Sequence, residues 1–244
     1  MKNQTFVEKT LDVNGDNSYG VWIRSTRTLR QLIGVLGVLL PLLLFVFTPN
    51  CNNPLDSISH YYYVRSGVFL IVVLSLIGVF LIIYTKNFML SSLAGVCAFF
   101  VVFFPTDQLG ECSITTIPHS DFRVWFHYGS AAVFLVLLAF MSFFKFTKPD
   151  SEEKMMNKNV KYKWLYKLLG VIMLLALIII GLRLLEVIMP ENFIKFYDDY
   201  KLTFWMEVIA LEAFGAAWLV RGNESVKTED FNNFINSNLF KQIE

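Results

Sequence analysis

The chain carries three histidines, His60, His119 and His127, and its polar stretches place four acids near them, Asp56, Asp107, Glu111 and Asp121. Four more ionisable residues, Arg183, Glu186, Glu207 and Glu212, fall inside strongly apolar runs. A charge in such surroundings is costly unless it is paired or faces a polar interior. Imidazole and carboxylate are Zn²⁺ ligands, and three of them leave a coordination position open for a water. His60, His127 and Asp107 form the set that would hold such an ion. Glu207 or Glu186 would then act as general base on its water, for hydrolysis of a lipid amide or ester.

Two other readings use the same residues. Arg183 and Glu186 are three apart and share a helix face, so Arg183 can bridge Glu186 and Glu207, with His127 donating to one of them. That gives a purely structural ion-pair network. Three carboxylates against one arginine exceed what pairing needs, which points instead to a polar pocket for a lipid or small amphiphile. Its expected lining is Ser59, His60, Asp107, His127, Arg183, Glu186, Glu207 and Glu212. A third reading is a small transporter with Glu212 as its proton carrier. Gly129-Ser130 suggests a buried serine nucleophile, but the last two apolar runs contain no histidine to serve as its base.

The elements that must position these groups follow from composition. Of 244 residues, 55% are hydrophobic and 17% charged, against about 25% charged in soluble domains, and mean hydropathy is +0.51. This excludes a soluble enzyme, a disordered chain, a disulfide scaffold and a nucleic-acid binder. The apolar residues form runs at about 31–48, 66–84, 88–104, 123–145, 164–189 and 202–220, and roughly 20 residues cross a hydrocarbon core. The sequence therefore predicts an all-α polytopic membrane protein with six transmembrane helices. Residues 1–30 form a cytoplasmic N-terminal segment, 31–220 the membrane domain, and 221–244 a cytoplasmic tail. In that tail Phe231, Phe234, Ile235 and Leu239 recur at helical spacing, for the membrane surface or the bundle end.

Lys and Arg set orientation because they resist translocation. Of the 21, sixteen fall in the two tails and the second and fourth connections, against four in the first, third and fifth. Both termini are thus expected in the cytoplasm, with all three histidines on the outer side. Trp22, Trp164 and Trp218 mark one set of helix ends and Trp125 and Trp205 the other, as interfacial aromatics do. The polar first thirty residues do not suit a signal peptide, so the first run is expected to remain as an anchor, kinked at Pro41. Cys51 and Cys112 both fall on the outer side, where a disulfide between them is expected. Asp12, Asn14, Asp16 and Ser18 alternate like the start of a calcium loop, but Ile23 stands where its closing carboxylate belongs. Gly34 and Gly37, Ser91 and Gly95, and the stretch Ala210 to Ala217 suit close helix packing.

Several stretches in order carry a resemblance: Asp56-Ser57-Ile58-Ser59-His60-Tyr61-Tyr62, Phe104-Pro105-Thr106-Asp107, His127-Tyr128-Gly129-Ser130-Ala131-Ala132, and Phe204-Trp205-Met206-Glu207 running on to Arg221-Gly222. They resemble a family of uncharacterised six-helix bacterial membrane proteins, which implies the bacterial inner membrane and the same fold over about residues 25 to 222. A further likeness is to the superfamily of alkaline ceramidases and adiponectin-type receptors, zinc-dependent intramembrane amide hydrolases. By that likeness Ser59, His60, Asp107 and His127 would build the metal site. The chain differs in having six helices and no HxxxH pair on the late ones. Expected partners are membrane lipids, with a second copy or another membrane protein also open.

Overall fold

The computed structural model describes residues 18–48, 54–107, 113–185 and 189–240, and all regular structure among them is helical. The elements are α1 (Ser18–Val46), α2 (Gly67–Ile83), α3 (Phe88–Phe103), α4 (Asp121–Phe140), α5 (Ser151–Met155), α6 (Lys163–Leu182), α7 (Glu191–Asp199), α8 (Leu202–Glu224) and α9 (Thr228–Phe240). A 3-10 helix, Ile58–Tyr63, precedes α2, and α4 continues through a π turn, Met141–Lys145.

Four of these helices are long and apolar enough to cross a membrane: α1 from Thr26, α4 with its π turn, α6 and α8. Helices α2 and α3 are equally apolar but have 17 and 16 residues, about 25 Å each. Packing contacts run α1–α2, α2–α3, α3–α4, α4–α6, α6–α8 and α8–α1, so the six long helices close a ring in chain order. Ile77, Leu81, Phe134, Leu138 and Phe214 are buried within it. Leu42, Val68, Val79, Val136, Leu175 and Ile178 lie exposed on its outside. A soluble monomer rarely carries an apolar belt of that kind.

The glycines set the closest approaches. A Cβ on Gly34 would stand 2.7 Å from the Leu219 backbone nitrogen and 2.8 Å from the Gly215 carbonyl, so α1 and α8 touch backbone to backbone. Gly95 meets Gly78 in the same way between α3 and α2.

Several boundaries differ from those read in the sequence. Helix α1 begins at Ser18, well inside the segment assigned to a cytoplasmic tail, and it holds Arg30 in buried contacts. Pro41 lies inside α1, which continues to Val46. Helix α6 ends at Leu182, and Arg183–Leu185 form a 3-10 turn. Helix α7 occupies what was read as a plain connection. Helix α8 runs on to Glu224, holding Arg221 inside the fold. Trp218 is 1% exposed, packed against Tyr84, Phe146 and Phe214, and is therefore not an interfacial tryptophan. In α9, Phe231 packs with Val226, Met156 and Ile235 on the end of the bundle. Cys51, Glu111, Cys112, Glu186 and the calcium-like residues Asp12 to Asp16 lie outside the described residues.

Candidate functional site

The connections before α2, between α3 and α4 and between α6 and α8 meet at one end of the ring, with His60 and His119 on them and His127 near the start of α4. At this histidine end, the 3-10 helix is fixed at its start from two directions. The Ser57 hydroxyl caps it by accepting the His60 N–H at 3.3 Å, and Glu207 on α8 accepts the Ile58 N–H at 2.5 Å. A carboxylate facing free N–H groups at a helix start is favourable. Farther along, the Tyr63 hydroxyl donates to the Thr106 carbonyl at 2.5 Å. Ser59 is thus carried on a turn anchored to α8 and to the end of α3.

His127, 3% exposed near the start of α4, closes onto that turn. Its Nδ1 is 2.8 Å from the Phe104 carbonyl and its Nε2 is 2.9 Å from Ser59 Oγ. A carbonyl only accepts, so Nδ1 bears a proton. In the neutral ring Nε2 is then a lone pair, and the Ser59 hydroxyl donates to it. Ser59 and His127 line a narrow recess whose other walls are Leu70 and Leu74 of α2, Val101 and Val102 of α3, Tyr62 and Pro105.

Asp107 faces elsewhere. Its two oxygens take Arg123 Nη2 at 2.9 Å and His119 Nδ1 at 2.5 Å, and Arg123 also donates to the Pro105 and Pro118 carbonyls. His119 bonds Asp121 through Nε2 at 3.0 Å. His60 hydrogen-bonds Ser57 Oγ through Nδ1 at 3.1 Å. Lys201 pairs with Asp56. Among the described residues, no three His, Cys, Asp or Glu side chains are grouped so as to hold a metal ion. The set His60, His127 and Asp107 is split because Asp107 turns to Arg123 and His119.

Arg183 is not joined to Glu207 or His127 by any hydrogen bond or ion pair among the described residues, and Glu186, its other expected partner, lies outside them. Arg183 donates to Asp198 at 2.9 and 3.2 Å, since α6 stops short and α7 presents a carboxylate at its end. Glu207 serves the 3-10 helix, and Glu212 lies partly buried five residues farther along α8. Ser59, His127 and Glu207 thus share one assembly, with His60 beside it, while Asp107, Arg183 and Glu212 stand outside it.

Burial pushes the His60 imidazole down to about 4, with His127 and Lys201 lowering it further and Asp56 and Asp107 opposing. The exposed His119 moves the other way, raised by its hydrogen bonds to Asp107 and Asp121. A histidine held neutral stabilises the fold above its unfolded value of about 6.5, and that stability fades as pH falls through the folded value. His119 contributes below the unfolded value and loses its contribution as pH rises through its folded one. In ¹⁵N-histidine spectra of the purified chain, His60 is expected to titrate near 4 and His119 above about 6.5. A His60 ring titrating at the ordinary value would contradict its partly buried placement among these groups.

The opposite, basic end holds a network that pattern reading missed. Arg30 is 1% exposed and donates to Tyr84 Oη at 2.8 and 2.6 Å, Ser225 Oγ at 2.5 Å and Asp150 at 2.7 Å. Arg221, fully buried, grips both oxygens of Glu153 at 2.8 and 2.7 Å and lies 3.2 Å from Asp150. Lys86 holds Glu152 at 2.8 Å, and the Tyr166 hydroxyl donates to Glu224 at 2.5 Å. Burial alone would raise the Asp150 carboxyl, but Arg30 and Arg221 hold it below its ordinary value. One signal was legible: Asp150 and Glu153 form a capping box, the spacing that opens a helix in an otherwise basic connection. The network ties α1, α5, α8 and the α2–α3 connection together.

Compared with known proteins, the chain matches no family model, no curated protein and no solved structure.

Proposed function

We propose that this chain is a six-span protein of a bacterial cytoplasmic membrane, both termini inside, whose outer, histidine end binds the ester or amide region of a lipid or small amphiphile. The ring supports the spans: α2 and α3 lie side by side with helices of membrane-crossing length and share the exposed apolar belt. The concentration of Lys and Arg at the opposite end supports the orientation. The bacterial setting rests on the resemblance carried by the Ser57-Ile58-Ser59 and Phe104-Pro105-Thr106-Asp107 stretches.

The observation that carries the ligand reading is the recess beside Ser59 and His127. Apolar side chains make most of its wall, and a serine–histidine pair gives it a polar point. It is a narrow gap open at its mouth, far below the roughly 300–1,000 Å³ of sites that engulf a whole ligand. A lipid satisfies that geometry because its chains stay in the bilayer and only its polar joint enters. The test is a photoactivatable diacyl phospholipid, with the reactive group near the ester, in nanodiscs holding the purified chain. Crosslinks are expected within residues 59–74 and 101–105, falling at least tenfold when Leu74→Trp fills the recess, with thermal unfolding of the variant measured alongside because overpacking costs about 1–3 kcal/mol. Labelling spread evenly over the apolar belt, unchanged by Leu74→Trp, would overturn the reading.

A further inference from the structure

We infer that Ser59 and His127 form a nucleophile–base dyad that transfers the acyl group of a lipid or amphiphile ester to water. This rests on the recess being a ligand site, and it names what happens there. Three features carry it. The hydroxyl points its hydrogen at an imidazole lone pair, Oγ to Nε2 at 2.9 Å, within the reach required of a nucleophile and its base. The far nitrogen is fixed by the Phe104 carbonyl at 2.8 Å, which holds the ring in the tautomer that leaves Nε2 free to accept. Both side chains line the same narrow apolar recess, through which an ester carbonyl would reach Oγ as the recess widens around it.

The step balances without a metal or redox partner. Ser59 Oγ attacks the ester carbonyl carbon as its proton passes to His127 Nε2. The carbon–oxygen bond to the alcohol then breaks, and the departing oxygen takes that proton from Nε2. Water attacks the acyl-Ser59 ester, gives a proton to Nε2 and releases the acid, after which Ser59 recovers its hydrogen. The Phe104 carbonyl orients the ring but does not offset an imidazolium charge as a carboxylate would. Turnover is therefore slow, and covalent capture is the better readout than product release.

The experiment is labelling of the full-length chain in nanodiscs with a long-chain fluorophosphonate, the adduct located by mass spectrometry, beside hydrolysis of a medium-chain nitrophenyl ester. Wild type is expected to carry the adduct on Ser59. His127→Gln should slow labelling by roughly 10²–10⁴-fold, and Ser130→Ala should label as wild type. Ser59→Cys guards against loss of fold: its thiol should alkylate faster than the same thiol in the Ser59→Cys/His127→Gln double variant. An adduct elsewhere, or labelling indifferent to His127→Gln, overturns the dyad. If phospholipid crosslinking at the recess persists while labelling fails, binding stands and the chemistry falls; if crosslinking also fails, both fall.

Discussion

Arg221→Ala is expected to cost about 3–5 kcal/mol, because removing one partner of a buried ion pair strands the other. The Arg221 side chain is fully buried and Glu153 is 5% exposed. Without the guanidinium, Glu153 would keep the Asp150 N–H at 2.8 Å as its remaining hydrogen bond among the described residues. Asp150 would lose one of the three cations, Arg30, Arg221 and Lys86, that hold its carboxyl down. Because that carboxyl is depressed, its contribution to stability is present at neutral pH and is lost only as pH falls through the folded value. The effect of the substitution should therefore be full at neutral pH.

Thermal unfolding of the detergent-solubilised protein is the measurement, with an expected fall of roughly 10 °C, taking about 2–4 °C per kcal/mol for a chain of this size. Arg183→Ala is the contrast. Its ion pair with Asp198 is 34% and 52% exposed, so its loss should stay below about 1 kcal/mol. The double variant Arg221→Met/Glu153→Met should recover most of the loss, since an apolar pair of similar volume replaces a buried ionic one at little cost. An Arg221→Ala melting point within a degree or two of wild type would remove the network from any account of how this end is held.

What the sequence made legible, and what it did not, follows from the range over which each signal acts. Apolar runs are local, so the six long helices could be located from composition and length. Charges standing alone in apolar surroundings are also local, which is why Glu207 and Arg183 drew attention. Their partners are not local. Asp198 meets Arg183 because α7 forms, and that amphipathic nine-residue helix carries no apolar run to announce it. Arg30 and Arg221 sit where basic residues are expected as topology signals, so their burial left no mark in the pattern. Ser59 and His127 are 68 positions apart. Each appeared among the pocket residues, yet the bond between them depends on Glu207 and Ser57 holding the 3-10 helix in place.

Gly215→Ala is expected to separate α1 from α8, although alanine is the better helix former by about 1 kcal/mol. The added Cβ would stand 2.6 Å from Val38 Cγ2, 2.8 Å from the Gly34 carbonyl and 2.9 Å from the Val38 nitrogen. Two of those atoms are backbone and cannot rotate aside, so the helices themselves must part. Overpacking of this kind costs about 1–3 kcal/mol. In lipid that loss falls on the packing which drives helix association. Gly34→Ala makes the same clash from the other side. Gly129→Ala and Gly181→Ala meet nothing within 4 Å and should be neutral or slightly stabilising. The same two helices carry Arg30 and Arg221, about one to two turns from this contact, so parting them stretches the buried network as well. Gly215→Ala combined with Arg221→Ala should therefore destabilise by less than the sum of the two, as coupled sites do. Full additivity in a thermal double-mutant cycle would mean that the glycine contact and the charge network hold α1 and α8 independently.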